Sequence, residues 1–348
     1  MDDGQDDLQA RRKDVLKVKK MYVEPANRSI LTFMLKVARK IYHIRHPEYI
    51  TEAYCDIMNQ DGNDLILEML NRKGTSGFML SKWGTTEFDQ ALRSYLCRNK
   101  AGWRLYMSMI RGDVPIPERA ANRWLYTLSG VFPFDAEIAD RFGMQALEDC
   151  QMIDILASYI PNERYLAHYW SGAAKVNLDA FYAPWLFRNP WTKWLKGKRV
   201  VVVHPFVESI RHQYENNRER LFTNPEVLPE FKELICIKAV QTLAGEPSQF
   251  RDWFEALHYM EDEIDQCEYD AAIIGCGAYG MSLAAHVKRR GKVAIHLAGW
   301  TQMLFGVYGE RWISQQPKYS SVINEYWIRP NNNERIKNGS KVDNGCYW

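Results

Sequence analysis

The chain has little that would hold it outside a cell or within a membrane. Its 348 residues include seven cysteines, an odd number with no CxxC pair. Neither a disulfide framework nor a cysteine-rich zinc site is written in that spacing. No apolar run approaches the ~18 residues that span a bilayer. The opening MDDGQDDLQARRKD has no apolar stretch of the kind found in secretory leaders. An excess of one charge is missing too, since 45 Lys+Arg face 43 Asp+Glu. Bulk electrostatics therefore gives no hold on nucleic acid. Also absent are a GxSxG elbow, a GxxxxGK phosphate loop, an HExxH helix and paired Cys/His ligands. These absences point to a cytoplasmic protein with no transmembrane segment, peripheral at most to the inner face of the membrane.

What is present is a globular composition rich in rings. Hydrophobic residues make up 46% and charged residues 25%, which excludes wholesale disorder. The 12 Trp, 19 Tyr and 14 Phe can build cores, stacking pockets or interfaces, and the count alone does not choose among them.

Residues 1–60 read as a tail, acids before bases, followed by a helical segment, SILTFMLKVARKIYHI (29–44). NDLILEMLNRK (63–73) is a second helix, FMLSKW (78–83) a short strand, and EFDQALRSYL (87–96) helical again. Residues 61–330 form the α/β domain, with a mostly helical insertion over about 100–190. There Asp135 caps a long helix that ends before Pro161. APWLFRNPWTKWLKGK (183–198) reads as a packed connection.

From 199 onward RVVVVH, LICIKAV, AAIIG and VAIHL are apolar strands separated by helices. That alternation predicts a mostly parallel, Rossmann-like sheet covered on both faces. Ligands bind such sheets beyond the carboxyl ends of the strands. Residues 331–348 are a polar tail whose aromatic end should dock on the body near the cleft.

Two local patterns carry chemistry. GCGAYG places Gly275, Gly277 and Gly280 at GxGxxG spacing, after a strand and opening a helix with Ala278 and Tyr279. Such a corner allows close approach of a phosphate to helix N–H groups. The bland alternative is a turn that packs helix on sheet. An acidic residue at the end of the next strand would mark a dinucleotide site, and His296 occupies that region instead. The second pattern, LSKWGTTEF (80–88), delivers Lys82 from a strand, turns at Gly84 and brings Glu87 to a helix start. A lysine and a carboxylate there could hold a phosphate and act as base or metal ligand, or Glu87 could simply favour the helix dipole. His204 ends its strand and projects toward the cleft as a phosphate contact or proton shuttle.

LSKWGTTEF together with IIGCGAYGMSLAAHVKRRGKVAIHLAG resembles the GT-D glycosyltransferase family, over roughly residues 77–96 and 199–306. HPFVESI, NPEVLPEF, KAVQTLAGE, LFGVYGERW, NEYW and the final GCYW are similar to a family of bacterial proteins encoded among polysaccharide genes. The resemblance implies a GT-D-like fold and a nucleotide-sugar donor bound near the glycine corner. It also implies a glycan or glycolipid acceptor, with transfer near Glu87. Gly84 and Glu87 match the family's Gly and final Glu, and Lys82 stands for its Arg. Thr85 replaces its Asp, which halves the carboxylate pair that would hold Mn²⁺ or Mg²⁺. On this reading Lys82, Gly84, Thr85, His204, His296 and the turn Gly275–Gly280 hold the donor, with Trp83 or Tyr279 stacked on base or sugar. Two other readings stay open: an NAD- or S-adenosylmethionine-dependent enzyme using the glycine corner, and a non-catalytic component of a polysaccharide assembly complex.

Overall fold

A computed structural model describes residues 30–47, 54–99, 102–113, 116, 119–337, 339 and 347–348. The charged segment 1–20 and most of the tail beyond 337 lie outside the described residues. The described chain is α/β. Seven strands, β1 (Phe78–Ser81), β2 (Ile155–Ser158), β3 (Ala174–Asn177), β4 (Arg199–His204), β5 (Glu233–Lys238), β6 (Ala271–Ile274) and β7 (Val293–His296), form one sheet. Its order is β3-β2-β1-β7-β6-β4-β5, and every pairing is parallel.

The strands lack a polar face because both sides of the sheet are covered. In β4, Val201 and Val203 enter one core while Val200 and Val202 enter the other. β6 divides the same way, with Ala272 and Ile274 opposite Ala271 and Ile273. The side-chain period of two thus feeds two cores at once. One core takes helices Thr85–Asn99, Ala136–Asp149, Trp253–Asp265 and Tyr279–Arg289, and the other takes Asn59–Arg72 and Val207–Leu221.

The middle of the chain departs from expectation. The helix opened by Asp135, whose carboxylate accepts the N–H groups of Glu137 and Ile138, stops at Asp149. The DILAS run beyond it is β2, buried along its whole length, and β3 comes next. Residues 100–190 are mostly helical, as expected, but they also supply two of the seven strands, β2 and β3. A four-residue apolar run has no periodicity of its own, and the pairing of β2 between β1 and β3 decides its state.

The pairing of β7 with β1 joins the late half of the sheet to the early half. Leu80 is level with Ile295, Ile295 with Ile273, and Ile273 with Val202. One register line therefore crosses β1, β7, β6 and β4, and the turns leaving these four strands emerge on the same rim.

Candidate functional site

That rim opens into a cleft of about 370 Å³, at the small end of the range for small-molecule sites. The turn and helix after β1 supply Lys82, Trp83, Gly84, Thr85 and Glu87 to its wall. The corner after β6 supplies Gly275, Gly277 and Ala278, while the ends of β4 and β7 bring His204 and His296. Two segments nearly two hundred positions apart thus share one crevice.

Glu87 lies in the first turn of helix Thr85–Asn99, where the dipole favours a carboxylate. Its side chain folds back over Gly84, and a Cβ on that glycine would lie 1.9 Å from Glu87 Oε2. The bare glycine makes room for the carboxylate. Thr85 Oγ1 is 3.2 Å from the Tyr159 hydroxyl, on the wall supplied by the segment after β2. Lys82 Nζ stands 5.9 Å from the centre of the Tyr159 ring. Burial alone would lower the Lys82 pKa, but the oxygens of Tyr159, Tyr182, Glu87 and Tyr347 more than reverse this. The ammonium stays charged inside the cleft wall.

The two histidines differ from their expected role. His204 is 2% exposed, and its Nδ1 accepts the Phe206 N–H at 3.0 Å, which leaves the proton on Nε2. Burial pushes its pKa down to about 3. His296 pairs Nδ1 with Ser81 Oγ at 2.9 Å. Burial and then the Lys82 charge bring it to about 3 as well. Both rings are neutral at physiological pH. His204 is not a proton shuttle near neutrality, and both can act only as neutral hydrogen-bonding walls.

The glycine corner is tight for internal reasons. Gly277 has φ +59°, a conformation that favours glycine. A Cβ on Gly275 would meet Ala298 O, Thr301 Oγ1 and His204 Cδ2, all within 2.7 Å. A Cβ on Gly280 would strike His296 Nε2 at 2.1 Å, so Gly280 packs behind the cleft and does not line it. The Ala278 N–H is given to Ser129 O and the Gly280 N–H to Gly277 O, each at 3.1 Å. The expected cradle of N–H groups from Gly277 to Gly280 is thereby reduced to those of Gly277 and Tyr279.

The stacking roles given to Tyr279 and Trp83 are corrected. The Tyr279 ring is 1% exposed and stacks on Trp253 at 5.1 Å, with 8° between planes. Trp83 is also 1% exposed, edge-on to Phe88 at 5.5 Å. Neither ring has a free face for a base or sugar.

Tyr159, Gln302 and Arg311 are among the cleft residues that escaped sequence reasoning, whereas Tyr347 belongs to the aromatic end expected there. Arg311 lies over the Tyr347 ring at 4.7 Å and donates to its hydroxyl at 3.2 Å. Gln302 Nε2 donates to Tyr347 O at 3.2 Å. Trp348 packs beside Phe206, so the aromatic end of the tail sits at the cleft mouth. LFGVYGERW contains Arg311 and is conspicuous as a segment, but nothing local in it signals a cleft. Tyr159 is hidden inside the overextended helix.

Among the described residues no group of three or more His, Cys, Asp and Glu side chains could hold a metal ion. In the cleft a divalent cation would meet one carboxylate, Glu87, near the charged Lys82. That is a poor donor set for Mn²⁺ or Mg²⁺. No known family, curated protein or solved structure matches the chain. The chemical content of the cleft is therefore one half-buried ammonium, one carboxylate, a guanidinium beside a phenol, and two neutral imidazoles.

Proposed function

We propose that the protein is a glycosyltransferase that moves a sugar from a nucleotide-sugar donor to a glycan or glycolipid acceptor, in surface polysaccharide assembly on the cytoplasmic side of a membrane. One observation carries the reading: Glu87 and the charged Lys82 share the cleft with the Gly275 corner at the carboxyl rim of a parallel sheet. Lys82 and Arg311 are cations suited to a leaving diphosphate, and low local dielectric strengthens their hold. Glu87 accepts the proton of the acceptor hydroxyl as its oxygen attacks the anomeric carbon and the bond to the diphosphate breaks. His204 Nε2–H offers a hydrogen bond without adding charge.

A thermal-shift panel of UDP- and GDP-sugars, NAD(H) and S-adenosylmethionine tests the class, because a ligand at 100 times its Kd adds about 2.7 kcal/mol of stability. Nucleotide sugars should stabilise the protein and the other two should not. Glu87→Gln should then keep the donor shift and lose transfer by about 10²–10⁴-fold. Stabilisation by NAD(H) or S-adenosylmethionine alone, or full transfer by the folded variant, would sink the proposal. No response to any nucleotide, with a co-purifying protein, would favour the non-catalytic component instead.

A further inference from the structure

We infer that helix Ile30–Arg45 and its neighbour Gly102–Arg111 form a docking face for an anionic lipid surface. The inference does not depend on which reaction the cleft performs.

The first helix turns Leu35, Ala38, Arg39, Tyr42 and His43 toward the body. There Arg39 Nε donates to Met109 O at 2.7 Å, and His43 Nε2 lies 3.0 Å from Arg111 O. Its other side is apolar and open. Ile30, Phe33, Met34, Val37, Ile41 and Ile44 are between 41% and 78% exposed, and they recur every three or four residues along one stripe. The second helix repeats the arrangement: it buries Leu105 and Met109 and exposes Trp103, Tyr106 and Met107. So much apolar side chain in water, on two touching helices, marks an interaction surface.

Charge selects the occupant. The chain as a whole balances 45 bases against 43 acids. Helix Ile30–Arg45 contains no acid and exposes the bases Lys36, Lys40 and Arg45. Gly102–Arg111 adds the exposed Arg104, while Arg39 donates to Met109 O and Arg111 pairs with Asp113. A second copy would oppose like charges, whereas phosphate headgroups complement them. Trp103 and Tyr106 are the amphipathic rings that settle at a headgroup boundary. No helix among the described residues is long and apolar enough to cross a membrane, so the pair would lie in the surface plane. The patch is also tethered beside the cleft. Gly112 O and Asp113 O, just past the second helix, accept from Asn162 Nδ2, three residues beyond Tyr159 of the cleft wall.

The test is flotation of the full chain with vesicles of phosphatidylglycerol and phosphatidylcholine, against vesicles of phosphatidylcholine alone. The anionic vesicles should bind at least tenfold more protein, and binding should fall steeply as salt rises. Phe33→Glu with Ile41→Glu should abolish flotation at unchanged thermal stability, and Lys36→Glu with Lys40→Glu should weaken it at least fivefold. Absence of flotation, equal flotation on both vesicles, or binding unaffected by both variant pairs would overturn the inference. So would light scattering that shows a dimer which Ile41→Glu dissociates and which ignores vesicles.

Discussion

Gly77 and Gly84 flank β1, and a methyl group added to either would strike an oxygen. At Gly77 the added carbon would lie 2.1 Å from the Lys288 carbonyl oxygen; at Gly84 it would lie 1.9 Å from Glu87 Oε2. Neither glycine has a positive φ, so the backbone itself tolerates alanine and the obstacle alone sets the cost. Relief requires a shift of roughly 1–1.5 Å in both cases, given ordinary non-bonded separations. The Lys288 carbonyl cannot give way easily. It accepts the Gly291 N–H at 2.9 Å, and the Lys288 side chain is held by Asp154 Oδ2 and Met152 O, each at 2.7 Å. Gly77→Ala should therefore cost about 1–3 kcal/mol, the usual range for overpacking. The Glu87 carboxylate is the far end of a flexible side chain and can swing away. Gly84→Ala should cost less than ~1 kcal/mol, offset by the lower entropy of the unfolded chain.

The same swing should lower transfer by about 10²-fold, the effect of misplacing a reacting group by ~1 Å. Adding Gly84→Ala to Glu87→Gln should do no further harm. Urea denaturation of the two alanine variants needs no substrate and decides the mechanical half. If Gly84→Ala lost as much stability as Gly77→Ala, the carboxylate would be locked by packing and the reasoning would fail. If Gly84→Ala kept full transfer, the position of Glu87 would not matter to the chemistry.

Acid should weaken the fold through its two buried imidazoles. Their folded pKa near 3 lies below the unfolded value near 6.5, so this stability is complete above ~6.5 and is lost as pH falls toward 3, by up to ~1.4 kcal/mol per unit for each ring. Asp89 has the opposite sign: burial raises it to about 6, so its contribution is present in acid and lost as pH rises from ~4 through 6. Urea midpoints between pH 7 and 4 should then fall less steeply in His204→Gln and more steeply in Asp89→Asn; slopes unchanged in both would contradict the burial argument. Tyr279→Ala should cost about 3–5 kcal/mol as a core deletion, while Tyr279→Phe leaves any donor shift in the thermal panel intact; a lost shift would return that ring to the site. Asp135→Ala should cost about 1 kcal/mol through the helix cap, and equilibrium unfolding would show no change if the two N–H groups find other partners.

The strands that bury both faces were legible because RVVVVH, AAIIG and VAIHL are continuous apolar runs bounded by turn residues. The Asp135 cap was legible for the same local reason. β2 and β3 were not. DILAS continues a helical rhythm in the sequence and becomes a strand only by pairing with β1 and β3. The two corners of the cleft were also visible, since a tight turn needs its glycine wherever the chain goes. The part each side chain plays there was less so, because burial cannot be read along the sequence. Tyr279 points into the core, and His204 and His296 lose their charge to the low dielectric around them.

Local chemistry along the chain therefore determined an α/β body and two reactive-looking turns. Only the tertiary structure decided that those turns face each other, because strand order depends on which apolar edges meet, and β7 meets β1. The same folding delivered Gln302 and Arg311 to the cleft from segments with no local signal. Proximity between residues hundreds of positions apart is a property of packing, and no short-range preference encodes it.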